Sequence, residues 1–111
     1  ADITILTAED PRTENLQEIL EEMRNEAEKS GAVYNKNLFV IPDRGEAISK
    51  GISLANDFDL VIACGKGHEQ SMCFGEIEYP WDDRIAMQSA LAKLLKVPGP
   101  DMPFLPTQIG E

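Results

Sequence analysis

With 111 residues, 42% of them apolar, and a formal charge of -10, the chain suits one domain with a modest core. That acidic balance argues against a nucleic-acid or anionic-membrane binder, although a local basic pocket for an anionic ligand stays compatible with it. No apolar run reaches membrane-spanning length, no signal peptide is read at the start, and Cys64 and Cys73 read as reduced thiols of a cytoplasmic protein rather than a disulfide framework.

Ile3-Thr4-Ile5-Leu6-Thr7 is β-branched and almost continuously apolar, the pattern of a strand covered on both faces in a parallel sheet. A polar turn from Ala8 to Thr13 follows and contains Pro11. Leu16, Ile19, Leu20, Met23 and Ala27 then recur at helical spacing opposite a charged face, which predicts an amphipathic helix ending before Gly31. Leu38 to Ile41 predicts a second strand. Asp43, with Glu46 three residues on, is a capping-box pattern with Asp in place of Ser or Thr. Ala47, Ile48, Ile52 and Ala55 give the helix behind it an apolar stripe, and Gly51 either weakens its middle or permits close packing.

Asp57 to Cys64, DFDLVIAC, predicts a third buried strand, with Cys64 as a small core residue. In the link from Gly65 to Asp82, Cys73-Phe74 and Ile77-Glu78-Tyr79 suit a small hairpin, and Tyr79 and Trp81 read as anchors of the loop. Asp83 is expected to cap a last helix with Ala86, Met87, Ala90, Leu91, Leu94 and Leu95 on its apolar side. From Val97 to Glu111, four prolines and two glycines predict a tail without regular structure. The expected organisation is a domain over 1–96 followed by a Pro/Gly-rich tail over 97–111.

Strand, helix, strand, helix, strand, loop, helix implies an α/β layer with a mostly parallel sheet. Three strands are thin cover for two helical layers, and an additional strand and helix upstream would complete it. Ligands of such folds gather at the carboxyl ends of the strands. Asp10-Pro11-Arg12, Asp43-Arg44 and Gly65 to Glu69 all follow strands, so they are expected to share one edge of the sheet.

The Gly65-Lys66-Gly67-His68-Glu69 run is neither a Walker A loop nor a dinucleotide fingerprint, because it has the wrong length and no helix directly behind it. It is either a strand-end turn with left-handed glycines or a backbone cradle with Lys66 and Glu69 facing a ligand. His68 reads as a loop-pinning hydrogen-bond former rather than a base, since no Ser or Cys stands at a telling spacing. One histidine is thin support for a metal, and no metal site is assigned. Arg12, behind a rigid proline, suits a carboxylate or a surface ion pair with Glu9 or Glu14. Asp10 is a turn former or an acceptor for a ligand ammonium. Asp43 and Asp83 read as helix caps, and Arg44 and Arg84 either reach the same edge or face solvent.

Taken in order, TAEDPRTEN, PDRGEAI, VIACGKGHEQ and WDDRIA resemble the C-terminal domain of the Mur ligases, most closely the MurE, or tripeptide-synthetase, type. The resemblance runs from about Ile3 to Leu95. It implies a Rossmann-like three-layer sandwich that is N-terminally incomplete here, lacking the family's first strand and helix. It also implies a place in an enzyme that ligates a third residue to UDP-MurNAc-L-Ala-D-Glu with ATP and Mg2+, both bound mainly outside this chain. The partners implied are the missing N-terminal and central domains, the UDP-MurNAc-dipeptide and a diamino acid. Arg12 stands at the position that binds the far carboxylate of meso-diaminopimelate, and Gly65 and Glu69 match the residues that meet its carboxylate and amine. Asp10 stands where the family has Asn, which adds negative charge and opens the choice of amino acid. Pro11, Lys66, Gly67, His68, Asp43, Arg44, Asp83 and Arg84 are implied as loop-shaping or supporting residues, with no catalytic residue in this chain and no activity expected of it alone. The competing readings are a Mur-like paralogue acting on another acceptor, or a small non-catalytic α/β binding or interaction module.

Overall fold

The computed structural model describes residues 2–66 and 69–108. Gly67 and His68, and with them the loop-pinning expectation for His68, lie outside the described residues. The chain forms a small α/β domain of three helices and two two-stranded sheets, one parallel and one antiparallel.

Strand β1, Thr4–Leu6, pairs in parallel with β2, Leu38–Val40, placing Thr4 opposite Leu38 and Leu6 opposite Val40. The crossover between them is helix α1, Leu16–Lys29. Asn15 caps that helix by accepting from the Glu18 N–H at 3.2 Å, satisfying one of the donors every helix start leaves open. Helix α2, Arg44–Leu54, begins at Asp43, whose Oδ2 accepts from the Glu46 N–H at 2.9 Å. An added Cβ at Gly51 would lie 3.6 Å from Ile5 Cδ1 and 3.8 Å from Val61 Cγ1, ordinary contact distances, so space there does not require glycine. The hairpin in the long link is formed by β3, Ser71–Phe74, and β4, Ile77–Pro80, joined through Gly75 at φ +63°. Helix α3, Asp83–Leu95, follows.

Three expectations are corrected. The segment from Asp57 to Cys64 forms no strand. Val61 turns toward the core, but Phe58, Leu60 and Ile62 are exposed at 107%, 82% and 69%, and Cys64 is exposed too rather than a core residue. The physical reason is that an apolar run specifies burial, whereas a strand also needs a neighbour for its backbone groups. Among the described residues β1 has β2 as its only ladder partner, so no sheet reaches this segment. The second correction concerns α3. Its cap is Asp82, which accepts from the Arg84 N–H at 2.9 Å; Asp83 is the first helical residue and is engaged elsewhere. The third concerns the buried face of α3, which is made of small residues, Ala86, Ser89, Ala90 and Ala92, while Leu91, Leu94 and Leu95 are exposed.

Small residues suit that face because other elements come close to it. A Cβ on Gly99 would approach the Cβ of Ala92 to 2.5 Å, so only glycine lets the chain pass there. The stretch from Val97 to Gln108 carries no helix or strand, yet it packs back on the domain as a strap. Leu105 is 1% exposed and joins Ala8, Ile48, Ile52, Met72, Trp81, Ala86 and Ala90 in the core. Met102 lies against Gly45, and the Thr107 hydroxyl donates to Asp43 Oδ1 at 2.8 Å. The strap thereby shares the residue that caps α2.

Candidate functional site

The chain leaves β1 through Ala8, which is buried, and turns at Glu9-Asp10-Pro11-Arg12. Arg12 takes φ +54°, a left-handed conformation that costs a non-glycine residue about 1–3 kcal/mol unless its surroundings enforce it. Here the hairpin enforces it. The Arg12 N–H donates to the Cys73 carbonyl at 3.0 Å, and the Gly75 N–H donates to the Arg12 carbonyl at 2.6 Å. The backbone of Arg12 is thus pinned on both sides while its side chain stays exposed. Neither Glu9 nor Glu14 forms an ion pair with it among the described residues.

Asp10 points the other way. Its Oδ1 accepts the Cys73 N–H at 2.9 Å and its Oδ2 accepts from Lys66 Nζ at 3.0 Å. Burial raises the Asp10 carboxyl, but the Cys73 N–H, the Lys66 ammonium and the Arg12 charge outweigh it and hold the group below its usual value. The Lys66 side chain is 1% exposed, and its Nζ also lies 3.4 Å from Glu69 Oε1. Glu69 itself remains 53% exposed. Gly65 adopts φ +101°, and an added Cβ would stand 3.0 Å from the Glu9 carboxyl carbon, so the turn needs glycine for its dihedral and for its neighbour. A cleft of about 280 Å³ opens between the Glu9–Pro11 turn and Leu16, Ile19 and Met23 of α1.

Beneath this edge lies a second charged group. The Arg44 side chain is 4% exposed and donates from Nε and Nη2 to the two oxygens of Asp83, both at 2.8 Å. Its Nη1 donates to the Ala8 carbonyl at 3.0 Å and its Nη2 to the Cys64 carbonyl at 2.8 Å. Trp81 Nε1 donates to Asp83 Oδ1 at 2.7 Å. One planar fork therefore joins the end of β1, the end of the 57–64 segment and the start of α3, a task suited to guanidinium geometry. Burial raises the Asp83 carboxyl, yet the Arg44 and Trp81 hydrogen bonds and the Arg44 charge bring it below the ordinary value.

The structure brings Asp10, Pro11, Arg12, Gly65, Lys66 and Glu69 to one edge, with Asp43, Arg44 and Asp83 behind it. Arg84 stands apart. It is exposed and folds back on Asp82 with contacts of 2.9 and 3.1 Å. Sequence reasoning missed the hairpin backbone at Cys73 and Gly75 that holds the Arg12 turn, and missed Glu9 against Gly65. No side-chain signal marks a backbone donor. The sequence marks Trp81 as a loop anchor or a stacking residue, and its bond to Asp83 went unread although their spacing allows it. Burial and the Glu78 charge push the Cys73 thiol up, so it stays protonated at neutral pH.

Comparison with known proteins identifies the family. The family described as "Mur ligase, glutamate ligase domain" matches residues 1–67. UDP-N-acetylmuramyl-tripeptide synthetase of Borrelia garinii subsp. bavariensis is 42% identical over 94 residues, which are 85% of this chain and 18% of that protein. UDP-N-acetylmuramoyl-L-alanyl-D-glutamate–2,6-diaminopimelate ligase of Oceanobacillus iheyensis is 37% identical over 91 residues, 82% of this chain and 18% of that protein. A solved structure of a UDP-N-acetylmuramoyl-L-alanyl-D-glutamate–2,6-diaminopimelate ligase superposes with a TM-score of 0.72 at 31% identity, over 86% of this chain and 19% of that one. The chain spans less than a fifth of the length of these relatives. With the family matched over more than half of its length, the chain belongs to the Mur ligases, as part of their glutamate ligase domain.

Proposed function

We propose that this chain is the amino-acid-binding part of an ATP-dependent amide ligase. The enzyme adds the third residue, meso-diaminopimelate, to UDP-MurNAc-L-Ala-D-Glu in the cytoplasmic assembly of a cell-wall precursor. The observation that carries the reading is the Arg12 turn. Its strained backbone is pinned by the hairpin, its guanidinium is left exposed, and the partly exposed Glu69 carboxylate belongs to the same charged edge. A fork of donors beside an anion suits the zwitterionic far end of a diamino acid. The names of the relatives from Borrelia and Oceanobacillus support the same reaction class.

In such a reaction the D-glutamate carboxylate is phosphorylated, and the amino group of the incoming residue attacks the acyl phosphate. This chain's part is positioning. Arg12 and Glu69 hold the far end, so that the reacting amine is presented elsewhere. ATP and Mg2+ are assigned to the remainder of the protein. Among the described residues no group of three or more His, Cys, Asp or Glu side chains is placed to hold a metal. No helix among the described residues is long and apolar enough to cross a membrane.

The same reading completes the sheet. α2 contacts both Ile5 of β1 and Val61, and Arg44 bonds the carbonyls at the ends of both segments, yet the two are not paired with each other. An upstream strand between them would give the 57–64 segment its ladder and turn the domain into a Rossmann-like three-layer sandwich. The functional reading is tested by assaying the full-length protein with ATP and UDP-MurNAc-dipeptide against diaminopimelate, lysine and ornithine. Diaminopimelate is expected to be preferred, and Arg12→Ala is expected to raise its KM at least tenfold. Unchanged use of diaminopimelate by that variant would remove Arg12 from the site.

A further inference from the structure

We infer that Gly75, at the tip of the β3–β4 hairpin, is a positioning residue that aims Arg12 at the ligand. This rests on the amino-acid-binding reading of Arg12 and Glu69, and it gives the hairpin a task within it: to hold those two residues at one separation.

Arg12 and Glu69 come from distant parts of the chain, yet both are fastened to β3. Glu69 leads into that strand directly, with only Gln70 between it and Ser71. Arg12 is tied to it across space. Its N–H donates to the Cys73 carbonyl at 3.0 Å, its carbonyl accepts the Gly75 N–H at 2.6 Å, and it forms a parallel bridge with Phe74. The root of the hairpin is firm. Met72 is fully buried, and Phe74 and Tyr79 pack against the core with their rings edge to face at 5.8 Å. The Trp81 N–H donates to the Gln70 carbonyl at 3.1 Å. The carboxylate and ammonium of a zwitterionic end group hang from one carbon, so the groups that receive them need a constant spacing. A frame shared by both residues supplies it.

Gly75 is the point at which this frame can be loosened without touching the core. It is the first of the two turn residues between β3 and β4, at φ +63°, a value that β-branched side chains adopt only as outliers. A Cβ there would meet nothing within 4 Å, and the residue is exposed, so a side chain acts through the dihedral alone. Gly75→Val therefore forces the turn into another shape and takes the Gly75 N–H away from the Arg12 carbonyl. Arg12, at φ +54°, keeps its left-handed conformation only while its neighbours impose it. Freed of that bond, it relaxes and carries its guanidinium out of register with Glu69. A hairpin that serves folding alone predicts a different pattern, a loss of active enzyme that shows in kcat and does not depend on Arg12.

The test is steady-state kinetics of the full-length ligase with meso-diaminopimelate varied and ATP and the nucleotide substrate saturating. Gly75→Val should raise KM for the diamino acid about fivefold with kcat lowered less than about twofold, the split expected when binding common to ground and transition states is lost. Added to Arg12→Ala, it should change KM by less than about threefold, because a residue that acts through the guanidinium then has nothing left to aim. A KM rise below about threefold in Gly75→Val overturns the inference. So does a kcat that falls as far as KM rises, or a further rise above about threefold in the Arg12→Ala background. If Gly75→Val is not recovered as folded protein, Gly75→Ala decides by the same comparisons and limits. Arg12→Ala alone separates the two readings. If it leaves KM for the diamino acid unchanged, the amino-acid site itself is wrong, whereas a large effect there with a silent Gly75→Val sinks only the role of Gly75.

Discussion

Replacing Arg44 by Met keeps most of the aliphatic volume and deletes four hydrogen bonds, two to Asp83 and one each to the Ala8 and Cys64 carbonyls. Asp83 is then left in a buried position with the Trp81 indole as its remaining described donor. Breaking one partner of a buried ion pair costs about 3–5 kcal/mol, because the other charge stays desolvated. That is a large share of the roughly 5–15 kcal/mol by which domains are stable. Urea unfolding read by Trp81 fluorescence is the assay. At a slope of about 2 kcal/mol/M, the midpoint should fall by roughly 2 M. Asp83→Leu combined with Arg44→Met should recover much of the loss, since apolar replacement of a whole buried pair is often neutral. The Trp81 N–H, left without an acceptor, would keep about 1–3 kcal/mol of it. A midpoint shift below about 0.5 M for Arg44→Met, or a double variant no better than the single one, would refute the account of Asp83 as a charge that depends on Arg44.

The carboxyls of Asp10 and Asp83 are both held below their ordinary values. Their contribution should therefore be fully present above the unfolded value, about pH 4, and be lost as pH falls through the lower folded values. A urea midpoint that is flat from pH 7 to 5 and drops below pH 4 is expected, with a shallower drop in Asp83→Asn; a midpoint that rises on acidification would contradict the sign. Leu105→Ala, at a position 1% exposed, should cost about 2–5 kcal/mol by thermal or urea unfolding, and an effect under about 0.5 kcal/mol would mean that the strap does not pack as described.

Features set by neighbours in sequence were readable, and features set by distant partners were not. The Asp43–Glu46 cap is local, and the helix forms behind it as the pattern indicates. The apolar stripe of α1 lies opposite charged residues and Leu20 on it is buried, whereas Met23 at the same spacing is exposed. α3 has apolar residues all round, and which side is buried depends on α2 and on the glycine of the strap at Gly99. The DFDLVIAC segment reads as a strand, but pairing depends on a neighbour that its own residues do not specify. At the site, the composition of the edge was legible from the turns after β1, β2 and the 57–64 segment, although that segment is no strand. The state of Asp10 was not, because its partners are Lys66, 56 positions away, and the backbone of Cys73, 63 positions away.

The bond from Thr107 to Asp43 closes a separation of 64 residues. By the logarithmic loop rule, holding two points that far apart costs roughly 4 kcal/mol of chain entropy before the length-independent constant, more than one hydrogen bond returns. The contact can therefore persist only because Leu105, two residues earlier, is already in the core. During synthesis this makes the strap settle after the elements on which it packs. α1 and α2 can form as they emerge, but the beginning of α2 is fastened only when residues 105–107 have left the ribosome. A chain without residues 105–107 carries an uncovered core and a cap with one of its ties missing.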